Sequence, residues 1–140
     1  MRLLVSAALF SVIFLFPADS GSGQLTSHFP DINSTKGFLE ICATVDEKYA
    51  SQSQFELLKS GYCVGWMNGI TAGILGAEAA HRVSEKDYIF CLPEGNSAQQ
   101  MVHITRKYIA DHPEEEHLVT GVIVVAALHQ AFPCRYGQPK

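Results

Sequence analysis

The chain lacks most of the signatures that would make it an enzyme or a nucleic-acid binder. It has no Gly-x-Ser-x-Gly turn, no phosphate loop and no dinucleotide-binding glycine motif, so the familiar seats for a serine nucleophile or a nucleotide are missing and no cofactor is expected. Its four cysteines, Cys42, Cys63, Cys91 and Cys134, never form a Cys-x-x-Cys pair, which argues against a zinc site. The six histidines contain no His-Glu-x-x-His spacing. His112 and His117 flank Glu114-Glu115-Glu116 at a helix junction and read as solvated caps, while His103 and His129 read as surface or boundary residues, so no metal is expected. Basic charge is also scarce: 10 Lys and Arg stand against 14 Asp and Glu, a net charge of −4. That sign argues against nucleic acid or an anionic membrane surface as partner. No apolar–polar alternation marks a strand.

What the chain does have is a beginning suited to export. Arg2 supplies a positive charge, residues 3–16 form an apolar run, Pro17 breaks it, and Ala18-Asp19-Ser20 places small residues at the −3 and −1 positions of a cleavage site. A membrane span wants about 20 apolar residues. Residues 1–20 therefore read as a signal peptide cleaved after Ser20, with no stable membrane insertion. Removing Arg2 and Asp19 leaves the net charge at −4. The remainder suits one domain with a modest core that covalent staples would help. In an exported chain an even number of cysteines reads as a disulfide framework.

Residues 21–34, rich in Gly, Ser and Thr, read as a flexible leader to a helical domain over residues 35–134, with a frayed tail at 135–140. A first helix should begin near Thr35 and turn Phe38, Leu39, Cys42 and Val45 to one face. A long helix should run from Gln54 to about His81. It carries Gly61, Gly65, Gly69 and Gly73, each four positions apart. An interior glycine costs roughly 1 kcal/mol relative to alanine, so the ladder is expected to form a bare strip for close approach of another helix. A break at one of these glycines is the alternative. Ser97-Ala98-Gln99-Gln100 reads as a capping box opening a helix to about Asp111. His112-Pro113 stops it. Glu114, Glu115 and Glu116 should occupy the first turn of a last helix, where the macrodipole favours negative charge. That helix continues through Val122, Ile123, Val124, Val125 and Leu128 to Phe132, and should be the most buried. Trp66 reads as a core anchor. The fold class is all-α: a compact bundle of four to five helices with two disulfides.

Four cysteines allow three pairings. If the last two helices form a hairpin around His112-Pro113, Cys91 and Cys134 lie at the same end of it, which favours Cys91–Cys134 and leaves Cys42–Cys63. With no catalytic grouping in view, a binding role is favoured. The candidate contact segment is residues 82–88, where Arg82, Glu85, Lys86 and Asp87 precede Tyr88 as a possible anchor. An ordinary solvated connector is the competing reading.

Five motifs, in order, resemble the Tai/Rap-type immunity proteins of bacterial type VI secretion systems. They are Phe38-Leu39-Glu40-Ile41-Cys42, the stretch from Gly61-Tyr62-Cys63 through Gly65-Trp66-Met67-Asn68-Gly69, Phe90-Cys91-Leu92-Pro93, His112-Pro113-Glu114, and Ala127-Leu128 with Phe132-Pro133-Cys134. The resemblance implies a non-enzymatic periplasmic helical protein, often a homodimer, that binds a secreted cell-wall amidase effector and occludes its active site. The alternative is a periplasmic acid-stress chaperone, exposing apolar surface as its carboxylates protonate, or another small disulfide-stapled binding protein.

Overall fold

Among the described residues, three of the four helices start at a serine. The computed structural model describes residues 29–134. Among them are α1 (Thr35–Ile41), α2 (Gln54–Ala80), α3 (Ala98–Asp111) and α4 (Thr120–Ala131), and no strand. Ser34, Ser53 and Ser97 lie just outside their helices, and each Oγ accepts a backbone N–H from three positions on: Gly37, Glu56 and Gln100. Each such bond satisfies one of the donors a helix start leaves open. At α2 the exchange is reciprocal, with the Glu56 carboxylate accepting the Ser53 N–H at 2.7 Å. α4 has no side-chain cap; its entrance is held from outside, where the Thr120 N–H donates to the Asn33 carbonyl at 2.9 Å.

The core gathers one face of each helix. Phe38 and Ile41 of α1, Met67 of α2, Met101 and Val102 of α3, and Ile123, Val124 and Leu128 of α4 are buried, together with Phe90 from the connection between α2 and α3. Side chains of this size contribute about 1.5–3 kcal/mol each when fully withdrawn from water. Trp66 is half-buried against that core, its ring 5.9 Å from that of Phe38. Cys42–Cys63 ties α1 to α2 and Cys91–Cys134 closes the open end of the α3–α4 hairpin, with Cα atoms 5.3 and 5.0 Å apart. This is the pairing expected from the hairpin geometry, and no cysteine is left free.

Several local expectations change. α1 stops at Ile41, with Cys42 as its cap, so Val45 reaches the core from a turn and not from the helix. Packing extends N-terminal to α1: Ile32 is only 2 % exposed, and the Thr35 hydroxyl donates to the Glu116 carbonyl at 2.9 Å. Glu114 and Glu115 do not open the last helix. They lie in a separate 3₁₀ turn, Pro113–Glu115, and α4 begins only at Thr120. The physical reason is the pull of Thr120 toward Asn33, which holds Val119 extended (φ −63°, ψ 130°) and breaks the helical run. Val122, expected inside, is 55 % exposed.

The largest correction concerns the glycine ladder. α2 is unbroken over its 27 residues, but Gly61, Gly65, Gly69 and Gly73 face open space, with no atom within 4 Å of where a Cβ would stand. Within the described residues no helix uses the strip. α2 meets the bundle through Ser60, Cys63, Met67, Thr71 and Glu78, which lie on the other side of the cylinder. The signal peptide over residues 1–20 and the tail over residues 135–140 lie outside the described residues.

Candidate partner-binding surface

α2 ends in two backbone bonds that close a helix C-terminus. The Val83 N–H donates to the Glu78 carbonyl at 2.9 Å and the Arg82 N–H to the Ala79 carbonyl at 3.1 Å. This pairing requires the residue that donates the second of these bonds, just past the end of the helix, to be left-handed, a position glycine usually fills. Here it is Arg82, at φ 52°. A side chain in that region strains the backbone, so this turn holds an arginine where glycine would fit more easily.

Beyond it the chain makes a short 3₁₀ turn, Glu85–Asp87, through Asp87 N–H to Ser84 carbonyl (2.7 Å) and Tyr88 N–H to Glu85 carbonyl (3.3 Å). Arg82, Glu85, Lys86 and Asp87 are all exposed, whereas Tyr88 is half-buried against the scaffold. Among the described residues the four charged side chains make no hydrogen bond or ion pair. The structure therefore brings Arg82, Glu85, Lys86 and Asp87 to one outward loop and turns Tyr88 partly inward.

The loop leaves through a fixed point that the sequence pattern does not reveal. The Ile89 N–H donates to Glu78 Oε1 at 2.7 Å, and His129 Nδ1 bonds the Ile89 carbonyl. Two residues on, the Cys91 N–H donates to the Phe132 carbonyl at 2.9 Å, and the Cys91–Cys134 disulfide follows. Glu78 and His129 stand 11 and 40 positions from Ile89. No local periodicity links residues that far apart.

Two other features are outward-facing. On α2, Phe55, Leu58 and Tyr62 are exposed, Leu58 at 60 %, and Phe29 stacks edge-on against Phe55 and Tyr62. They continue into the bare glycine strip, and residues 60–77 carry no charged side chain. At the α3–α4 junction, His112, Glu114 and Glu115 bring their polar atoms within 4.8 Å of one another. They are bonded to one another and to Tyr108: His112 Nδ1 lies 3.3 Å from Glu114, and the Tyr108 hydroxyl donates to Glu115 at 3.0 Å. Desolvation and then the Glu115 bond raise the Tyr108 phenol above its ordinary range. The backbone N–H of Glu114 itself, and then His112, hold the Glu114 carboxyl below its own. A groove of about 210 Å³ lined by Ile104, Tyr108, Ala127 and Ala131 runs beside this junction, smaller than the usual small-molecule site.

Chemically, these arrangements suit recognition. With all four cysteines bonded, no thiol nucleophile remains. No helix of the described residues is long and apolar enough to cross a membrane. A family model described as Rap1a immunity proteins matches residues 34–134, from the serine that caps α1 to the cysteine that closes the last disulfide. No curated protein and no solved structure matches the chain.

Proposed function

Because this chain belongs to the Rap1a immunity protein family, whose members bind secreted effectors, we propose that it neutralises a peptidoglycan amidase delivered by a type VI secretion system, in the periplasm, by occluding the amidase cleft. The observation that carries this reading is the family match over residues 34–134, which takes in all four helices and both disulfides. Two disulfides support an oxidising compartment, and the apolar run over residues 3–16 supports export. Occlusion falls to the loop carrying Arg82, Glu85, Lys86, Asp87 and Tyr88. It is short, fixed at its exit and charged, so little ordering entropy opposes its docking. Arginine and tyrosine are the residues that most often dominate such contacts.

The test is a pull-down of the oxidised protein against exported cell-wall amidases, with peptidoglycan hydrolysis as readout. One amidase should bind tightly and lose activity. Alanine at Arg82, Lys86 and Tyr88 together should weaken that complex at least about a hundredfold. Binding to no amidase would sink the reading and leave the chaperone alternative to be tested by dye binding in acid. Homodimerisation, also implied by the family resemblance, has a suitable face in the apolar side of α2, where residues 60–77 carry no charged side chain. Sedimentation at micromolar concentration, repeated with Leu58→Glu, reads it directly.

A further inference from the structure

Glu78 is the one charged residue among the buried side chains of the described residues, 6 % exposed, and its second oxygen, Oε2, has no hydrogen-bond partner. Burying a carboxylate is expensive, and an oxygen left without a partner makes it more so. A methionine or leucine there would serve the core better. What the carboxylate does accomplish is local: Oε1 accepts the Ile89 N–H. From the opposite side His129, on α4, bonds the carbonyl of the same residue. Both polar groups of one residue's backbone are therefore gripped by side chains from two different helices, immediately after the charged loop. The loop has only two short-range backbone bonds of its own beyond the end of α2, so its orientation depends on where its exit is held.

We propose that Glu78 and His129 are positioning residues, a two-sided clamp on Ile89 that presents the loop carrying Arg82, Glu85, Lys86 and Asp87 to the effector. This rests on the reading of that loop as the effector-binding element. The clamp acts through the loop: it restricts the loop to one conformation before binding, which lowers the ordering entropy lost on association, and Glu78, being buried, does so without touching the partner. It also explains the presence of a carboxylate where global stability would favour an apolar residue.

Hydrogen exchange and effector binding, measured on the oxidised protein for Glu78→Leu, Glu78→Gln, His129→Leu and His129→Asn, separate this role from a structural one. The Glu78→Gln change keeps an acceptor for the Ile89 N–H, and the His129→Asn change keeps a donor for its carbonyl. In the two leucine variants the amides of residues 84–90 should exchange at least about tenfold faster, and affinity for the inhibited amidase should fall by a similar factor. Glu78→Leu should keep or raise the melting temperature. The glutamine and asparagine variants should stay close to the original protein in both exchange and affinity. Unchanged exchange in Glu78→Leu and His129→Leu overturns the clamp. Faster exchange with unchanged affinity overturns its positioning role. If the unmutated protein binds no amidase, the effector reading fails, while the exchange data still decide whether Ile89 is clamped.

Discussion

At the scale of single residues, two positions show how backbone geometry limits what the chain tolerates. Gly37 sits where a Cβ would lie 2.0 Å from the Asp31 carbonyl oxygen and 2.6 Å from its carbon. Backbone cannot move aside as a flexible side chain can, so Gly37→Ala should destabilise the fold by about 1–3 kcal/mol, read as a lower urea midpoint. Arg82 is the reverse case. Its left-handed φ of 52° favours glycine, so Arg82→Gly should stabilise the protein by about 1 kcal/mol in thermal unfolding. The same change should weaken effector binding by removing the guanidinium. A variant that gains stability and keeps full affinity would show that Arg82 makes no contact with the partner. The sequence singled out Arg82 by its charge and Tyr88 by its ring, but not that one is held in a strained turn and the other half-buried. Those properties come from the end of α2 and the packing beneath the loop.

At the scale of elements, α2 is the instructive case. Its extent was legible because no proline interrupts residues 54–80, and the structure fixes its start with a reciprocal cap between Ser53 and Glu56. The partner of its glycine strip was not legible, because a spacing of four says which residues share a face and nothing about what lies opposite. Since no atom stands near their missing Cβ positions, Gly65→Ala, Gly69→Ala and Gly73→Ala should each stabilise the free protein by roughly 0.5–1 kcal/mol. If a partner helix uses the strip, the triple variant should also lose that association in sedimentation. The cap of α2 makes a second prediction. The Ser53 backbone N–H, and then its hydroxyl, hold the Glu56 carboxyl below its ordinary value of 4.5. A carboxyl depressed in the folded state adds stability that is complete above that ordinary value and is lost as pH falls through the folded one. Glu56→Gln should therefore remove part of the acid-side decline in thermal stability and leave its shape at neutral pH unchanged. α4 teaches the opposite lesson. Its acidic triplet looks like a first turn, but the bond from Thr120 to Asn33 delays the helix, and that bond joins segments 87 positions apart.

At the scale of the whole molecule, the bundle depends on its two covalent ties. The disulfides join positions 21 and 43 apart. Constraint of the unfolded chain then assigns about 3 kcal/mol to the first and about 4 kcal/mol to the second. Paired serine replacement at Cys91 and Cys134 should accordingly lower unfolding free energy more than replacement at Cys42 and Cys63, measured by urea titration of each variant. The second bridge also holds the segment that leaves the loop, so its loss should weaken effector binding more than the first.

By itself the sequence determined the helical class, three of the four helix starts, the disulfide framework and the family resemblance. All of these rest on interactions within a few residues, or on a count of four cysteines with few ways to pair. Tertiary structure decided the rest: where α4 begins, that the glycine strip faces outward, and that Glu78 and His129 meet at Ile89. These depend on groups brought together from 11 to 87 positions away. The reason is physical: periodicity reports which side of an element is apolar, whereas the partner of a buried polar group is chosen only when the elements pack.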